Sequence, residues 1–218
     1  MSLREEKILR KPDYIYRSAD RYMKILNRKI VQMFMDFQPT LLNIDELNII
    51  KRCREFYKEL NDVTLRYLLF IAQEVYKLND GERKLDMNWL KAFLNKFDPV
   101  TLYIYNNEVD RKEQRCEESI IACMQINMAF DEPLGRAMGL WTRMAQQYGD
   151  IVTDKAYYDA LKQRGVKKVR WVAEADSRTC NKCIELNGRV FLLKDVPPKQ
   201  HWNCRCYVVP VSSRTHLK

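Results

Sequence analysis

The sequence predicts a mainly α-helical protein with a small β-containing module at its C-terminal end. From Tyr14 to about Tyr148, apolar residues recur at intervals of three and four, which is the spacing of buried helix faces. Beyond Gly165 the pattern changes to the two-residue alternation of strands, and potential metal ligands crowd together. A chain of 218 residues can form one substantial core with a small appended unit. We therefore expect a helical body over residues 1–165 and a basic, zinc-clipped module over residues 166–218.

Three helical runs are predicted in the first part of the body. The first should end at Pro39, which lacks the N–H that a helix interior needs. Asp45-Glu46-Leu47 is expected to begin the second run, and Asn61-Asp62 to form a junction or cap before the third. Asn79-Asp80-Gly81 is a strong stop signal. The apolar stripe of the first run comprises Tyr22, Ile25, Leu26, Lys29, Ile30, Met33 and Phe34.

Four shorter helical runs follow. We expect them over residues 86–97, 111–130, 131 to about 149, and 154–163. Asp131 should cap the third of these, with Pro133 in its first turn. Gly149 is predicted to interrupt the helical pattern. Gly165 is predicted to follow the last helix in the C′ position, where a left-handed backbone favours glycine.

Three short strands are predicted in the module. Residues 166–173 alternate in the manner of a partly buried strand. Asn187-Gly188 is a strong turn dipeptide, and residues 189–193 indicate a second strand. A Pro197-Pro198 loop then leads to a third strand over residues 207–209. So small a unit buries too little apolar surface to be secure alone, and we expect an additional cross-link.

That cross-link is predicted to be a structural zinc ion. Cys180 and Cys183 form a C-x-x-C pair, and His201, Cys204 and Cys206 form an H-x-x-C-x-C group after a spacer of seventeen residues. Structural zinc contributes about 10–16 kcal/mol of apparent binding free energy that is coupled to folding. We expect Cys180, Cys183 and Cys204 as ligands, with His201 or Cys206 as the fourth. Free thiols, or a disulfide formed in oxidising surroundings, are the alternatives.

The remaining cysteines and the N-terminal residues indicate a reducing compartment. Cys53, Cys116 and Cys123 lie in helical runs and are expected to be small buried apolar residues. Seven cysteines is an odd number, which argues against a complete disulfide framework. The first residues contain no apolar signal segment, and no stretch is long and apolar enough to cross a bilayer. We expect a cytoplasmic protein that is not inserted in a membrane.

Positive charge is concentrated at the C-terminal end. Residues 1–160 carry 25 basic and 25 acidic side chains, whereas residues 161–218 carry 13 basic and 4 acidic ones, which accounts for the net charge of +9. Such a basic end attracts nucleic acid or an acidic protein surface. A generic soluble surface is the alternative.

A zinc-stabilised nucleic-acid-binding module is an alternative function. A dense run of cations stands beside an aromatic side chain, as phosphate contact with adjacent base stacking would require. The residues of this contact would be Lys162, Arg164, Lys167, Lys168, Arg170 and Trp171.

Catalytic motifs are missing from the sequence. It contains no G-x-x-x-x-G-K-[ST], no G-x-G-x-x-G and no G-x-S-x-G. His201 and His216 are the only histidines, so a histidine relay has few options. A catalytic zinc would need an open coordination position and a carboxylate base, for which Glu174, Asp176 and Glu185 are the neighbours in sequence. We expect no enzyme, with a metal-dependent hydrolase or nuclease as the alternative.

Irregularly spaced residues between positions 170 and 206 form a recognisable pattern. They are Trp171, Asp176, Arg178, Thr179 and Cys183, then Leu186, Gly188 and Phe191, then Asn203, Cys204, Arg205 and Cys206. This pattern resembles the C-terminal signature of phage minor head proteins, the phage Mu F-like head morphogenesis family.

The resemblance implies a minor virion component that associates with the portal and acts in procapsid assembly and in DNA packaging or ejection. Its partners would be the portal and/or the major capsid or scaffold protein, and DNA could be contacted through the basic module. It would be found in the virion and, during assembly, in the host cytoplasm. Asp176, Arg178 and Thr179 would be signature positions that support the turn presenting Cys180 and Cys183.

Overall fold

The computed structural model describes residues 13–42, 44–96, 104–174, 177, 179–201 and 204–211. These residues form a mainly helical body and a small sheet, as predicted. The body contains α1 (Asp13–Phe37), α2 (Glu46–Leu78), α3 (Met87–Leu94), α4 (Tyr105–Gln125) and α5 (Asp131–Gln163), with a 3₁₀ turn (Gln38–Leu41) after α1. Of these helices, none is long and apolar enough to span a membrane.

The apolar stripe of α1 largely agrees with the prediction. Its buried side chains include Leu26, Ile30, Met33 and Phe34, together with Ile15, Ala19 and Met23 further towards the N-terminus. Ile25 and Lys29, which were predicted on the stripe, are exposed because they lie beside the face that the helix buries. Pro39 stands in the 3₁₀ turn just after the helix, in agreement with its predicted role.

α2 is one continuous helix of 33 residues, so the predicted break at Asn61-Asp62 is wrong. The buried face runs through this point without a change of register, from Leu60 to Thr64. Asn61 uses its side chain for tertiary structure, because its Oδ1 accepts a hydrogen bond of 2.8 Å from the Tyr105 hydroxyl. A polar side chain that is typical of caps therefore serves as a partner for α4. The predicted start at Asp45 is confirmed, since its carboxylate caps α2 through the Asn48 N–H.

α5 is also continuous, and Gly149 does not interrupt it. A Cβ atom at Gly149 would lie 2.5 Å from the Met23 sulfur of α1, so the glycine permits a close approach of two helices. The predicted cap at Asp131 is wrong as well, because the residue in the N-cap position is Phe130 and Asp131 lies in the first turn. Pro133 lies in that first turn as predicted.

The core of the body lies between α1, α2 and α5, with α4 packed along α2 and α5. Trp141 of α5 is fully buried, and its ring meets that of Tyr57 edge-on at 5.4 Å between centroids. Its Nε1 donates a 3.0 Å hydrogen bond to the hydroxyl of Thr64, which in turn donates to the Leu60 carbonyl. The one polar atom of this buried indole is thereby satisfied, as burial in an apolar core requires.

A three-stranded antiparallel sheet follows the body. Its strands are β1 (Lys168–Val172), β2 (Val190–Leu192) and β3 (Tyr207–Pro210), and β1 lies in the centre. A short helix, α6 (Asn181–Leu186), lies between β1 and β2 and was not predicted. Gly165 and Gly188 have φ angles of 77° and 78°, which explains why glycine stands just after α5 and at the turn before β2.

The sheet packs against one end of the body. Trp171 and Val208 are buried in the same continuous core as the helices. The Tyr157 hydroxyl of α5 donates to the Val208 carbonyl at 3.3 Å. At the same end, the Tyr14 hydroxyl near the start of α1 donates to the side chain of Asn79, just after α2, at 3.1 Å. The start of α1, the end of α2 and the end of α5 therefore meet next to the module.

Two glycines of α5 should respond in opposite ways to replacement by alanine. We expect Gly149→Ala to lower the free energy of unfolding by about 1–2 kcal/mol, because overpacking against Met23 outweighs the gain in helix propensity. Gly139→Ala is the matched control: nothing lies within 4 Å of the new Cβ, so stability should rise by about 0.5–1 kcal/mol. Urea unfolding measures both changes, and an equal effect of the two substitutions would contradict the close approach of α1 and α5.

Candidate metal centre

The five predicted ligands come from three places in the module. Cys180 is the N-cap of α6 and Cys183 lies in its first turn, so the helix start brings these two sulfurs close together. His201 follows the proline loop. Cys204 and Cys206 precede β3, and both are buried while the residue between them is exposed, which is the alternation of an extended chain.

These side chains converge on Cys183. Its sulfur lies 3.6 Å from His201 Nε2 and 3.6 Å from Cys204 Sγ. Cys180, Cys183 and His201 form one group of possible ligands, and Cys183, Cys204 and Cys206 form another, each with all ligand atoms within 4.8 Å of one another. Around a tetrahedral zinc ion with bonds of about 2.3 Å to sulfur and 2.0–2.1 Å to nitrogen, neighbouring ligand atoms lie roughly 3.5–3.8 Å apart. The two separations at Cys183 match that spacing, so the cluster could hold a metal ion.

Hydrogen bonding and burial set the acidity of the clustered thiols. The Cys206 thiol donates to Cys204 and lowers the pKa of Cys204 to about 4, with help from a backbone N–H and from Lys199. The same hydrogen bond raises the pKa of Cys206. Burial raises the pKa of Cys183 to about 12. One thiolate therefore forms readily at this place, and further thiolates require compensating positive charge, which a divalent cation supplies.

Lys199 connects the candidate site to the helical body, and no sequence pattern pointed to it. Its ammonium donates to the backbone carbonyl of Cys204 at 3.1 Å and to that of Cys206. The same nitrogen lies 3.4 Å from Asp154 Oδ2 on α5, and the two side chains are only 9% and 10% exposed. It also lies 5.2 Å from the centre of the Tyr16 ring of α1, within cation–π range. One buried cation thus joins the ligand-bearing segment to two helices.

Two carboxylates of α5 face this contact. The Tyr16 hydroxyl donates to Asp154 Oδ1 at 2.5 Å. Burial raises the pKa of Asp154, although Lys199 and Tyr16 oppose the shift. Burial also raises the pKa of Asp150, to about 7, again against the attraction of Lys199. Lys199 therefore compensates negative charge that the body has removed from water.

The predicted supporting residues are only partly described. Asp176, Arg178 and Asn203 lie outside the described residues, as does His216. The Thr179 hydroxyl donates to the backbone carbonyl of Glu174, five residues earlier in the chain. This hydrogen bond ties together the two ends of the segment just before Cys180. Among the carboxylates considered as a catalytic base, Glu174 is half-buried and Glu185 is exposed on α6.

The predicted nucleic-acid contact is only partly exposed. Lys162, Lys167, Lys168 and Arg170 are exposed, whereas Arg164 is half-buried with its guanidinium 3.5 Å from the Asp80 carboxylate. Trp171 is 1% exposed in the core beneath the sheet, so its predicted role in base stacking is wrong. Its burial agrees with the alternation predicted over residues 166–173, because Val169 and Trp171 are buried while Lys168 and Arg170 are exposed.

The other cysteines lie in the body, away from the cluster. Cys53 of α2 and Cys116 of α4 are buried, as predicted, and Cys123 is partly buried. A hydrogen bond between the first two raises the pKa of Cys53 and lowers that of Cys116. They act as small core residues at the α2–α4 contact.

Comparison with known proteins identifies a family for the segment that contains this cluster. Residues 140–209 match the family model described as Phage Mu protein F like protein. This confirms the resemblance inferred from the sequence. The match covers about a third of the chain, and it begins inside α5, so it includes Tyr157 and Asp154 as well as all five candidate ligands. No curated protein and no solved structure matches the chain.

Removal of the Lys199 charge should weaken the attachment of the module to the body. We expect Lys199→Met to lower the free energy of unfolding by about 3 kcal/mol, because Asp154 would remain buried without its cationic partner. Adding Asp154→Asn to that variant should restore part of the loss. Lys194→Met, at an exposed position of the 3₁₀ turn after β2, is the control and should change stability by less than about 0.5 kcal/mol. Equal urea midpoints for the two lysine variants would contradict the contact.

Proposed function

We propose that the chain is a phage minor head protein, a virion component that associates with the portal and acts in procapsid assembly and DNA packaging or ejection. The observation that supports this most directly is the family match over residues 140–209. The helical body, residues 1–165, would dock on the portal, the major capsid protein or a scaffold protein. The module, residues 166–218, would face DNA or an acidic protein surface through its excess of basic residues.

We further propose that the module holds one structural zinc ion. Cys183 is the ligand common to both groups, and its sulfur lies 3.6 Å from both His201 Nε2 and Cys204 Sγ. The other three ligands would come from Cys180 and His201 on one side of Cys183 and from Cys204 and Cys206 on the other. Four protein ligands close the coordination sphere and leave no position for a reactive water, which is typical of structural zinc. The ion would join the start of α6, the proline loop and the segment before β3.

This arrangement explains how so small a sheet can be ordered. β2 and β3 contain three and four residues, and β1 contains five. Strands this short contribute little stability by themselves. A zinc ion bound by α6 and by the segment before β3 would fix the connection between β1 and β2 and also the segment that leads into β3. Its binding free energy would then be folding free energy of the module.

Metal content tests the zinc proposal. Purified protein should contain one zinc ion per chain by elemental analysis, and Cys183→Ser should lose it, because this sulfur belongs to both ligand groups. Cys123→Ser, on α4, is the matched control and should retain one zinc ion. Cobalt substitution of Cys180→Ser and Cys206→Ser then shows which of these two thiols binds the metal, since only the loss of a true ligand changes the thiolate charge-transfer band. Protein that stays fully folded without metal after exhaustive chelation would contradict the proposal.

Particle composition tests the proposed virion role. Procapsids and virions purified from the phage or prophage that carries the gene should contain the chain in few copies. It should co-sediment with the portal on sucrose gradients and be identified by mass spectrometry. A chain that is absent from procapsids, virions and portal complexes would contradict the role, whatever its metal content.

Nucleic-acid binding is the second candidate function. The four exposed cations around the start of the sheet, Lys162, Lys167, Lys168 and Arg170, favour it, because phosphate contacts need accessible basic side chains. The burial of Trp171 removes the predicted stacking contribution and leaves a purely electrostatic contact. Such binding would be insensitive to base sequence.

A further inference from the structure

The end of the body opposite the module has an unusual surface, which we call the distal end. It consists of residues 33–42, 44–50 and 122–135, which include the last turns of α1, the start of α2 and the α4–α5 loop. The Gln38 amide donates to the Asp131 carboxylate at 2.7 Å, so these segments lie side by side. The 20 residues of α1 that precede the distal end, residues 13–32, separate it from the module by roughly 30 Å at about 1.5 Å per residue.

Large apolar side chains are exposed at the distal end. The exposed fractions are 81% for Leu47, 65% for Ile126, 62% for Met35 and for Leu42, and 54% for Met128. The first four are the most exposed large apolar side chains in the described part of the chain. Single exposed apolar residues are ordinary, but several at one end of a molecule mark a surface that another molecule covers.

The same surface is acidic. Residues 33–50 and 122–135 contain five acidic side chains and no lysine or arginine. All five acids are exposed: Asp36, Asp45, Glu46, Asp131 and Glu132. The next cations along the chain are Lys51 and Arg136, and Arg136 pairs with Glu132 at 2.6 Å. The distal end therefore combines apolar area with net negative charge.

The module presents the opposite combination on the outer face of its sheet. Lys168 pairs across the strands with Leu192, and Arg170 pairs with Val190. All four side chains are exposed, whereas the intervening Val169 is buried beneath the sheet. We call Lys168, Arg170, Val190 and Leu192 the outer sheet face. It carries two cations interleaved with two apolar side chains.

We propose that the distal end of one copy of this chain binds the outer sheet face of a second copy. Acidic side chains of the distal end would then pair with cations of the outer sheet face. Exposed apolar side chains of the two surfaces would be buried against each other. The two surfaces lie at opposite ends of the molecule, so one copy cannot pair them within itself. The contact is heterologous, and repeated head-to-tail it forms a closed ring or an open chain of copies. It does not depend on the proposed virion role and is tested on the purified chain alone.

Two variants each remove one of the surfaces. Leu47→Asp places a charge in the apolar part of the distal end, at an exposed position in the first turn of α2 where an acid suits the helix dipole. Arg170→Glu reverses a charge on the outer sheet face, at an exposed position of β1. Ile25→Ser is the control, because Ile25 is an exposed apolar residue of α1 outside both surfaces. Circular dichroism checks that each variant is folded.

Sedimentation velocity and light scattering on the full chain give the test. For wild type and Ile25→Ser, we expect the mass to rise above the monomer value of 26.1 kDa with concentration and to fall with added salt. Leu47→Asp alone and Arg170→Glu alone should remain monomeric. An equimolar mixture of the two should form a 1:1 complex that stops at two chains, because each variant retains one intact surface.

Each other outcome overturns the proposal. A wild-type chain that is monomeric at every concentration and at low salt shows that the two surfaces do not bind each other. Variants that associate as wild type does, or that fail to form the mixed complex, show a contact elsewhere or a symmetric one. A monomeric wild type whose binding to duplex DNA is lost in Arg170→Glu assigns the outer sheet face to nucleic acid instead.

Discussion

The buried contact between Lys199 and Asp154 joins the two parts of this fold. Charges that leave water need compensation, and here a helix carboxylate and two loop carbonyls share one ammonium group. The carbonyls belong to Cys204 and Cys206. Lys199, which neutralises the Asp154 carboxylate of α5, therefore also positions two candidate metal ligands. The geometry of the ligand cluster therefore depends on the body, and the module is better regarded as one wall of the core than as an independent unit.

The extent of the family match agrees with this view. The sequence places a boundary near residue 165, where hydrophobic periodicity changes from helix to strand. The matched segment begins at residue 140, inside α5, and includes the helical side chains that contact the sheet and Lys199. A change of hydrophobic periodicity marks where a helix or strand ends. Side-chain packing decides which helices and strands belong to one structural unit.

The sequence predicted local features well and tertiary ones poorly. The five candidate ligands were found because C-x-x-C and C-x-C spacings bring sulfurs together through short-range geometry. The breaks at Asn61-Asp62 and Gly149 were wrong because each residue is used for a contact with another helix, Tyr105 in one case and Met23 in the other. α6 was missed because six residues are too few to show helical periodicity. The role of Lys199 depends on residues 45 and 183 positions away, and no local pattern records it.

The helix α5 holds the acidic and the basic parts of the chain at opposite ends of the molecule. This helix starts at Asp131 in the acidic distal end and ends at Gln163 beside the basic module, so it acts as a spacer of roughly 50 Å at about 1.5 Å per residue. At physiological salt, exposed charges are screened beyond about 8 Å, so neither end influences the other within one molecule. Charges at each end therefore act only at contact distance, where they select the orientation of a partner. Affinity must come from burial of the apolar side chains beside them. Acidic and apolar residues that occur together at one end therefore indicate a binding surface more strongly than either type does alone.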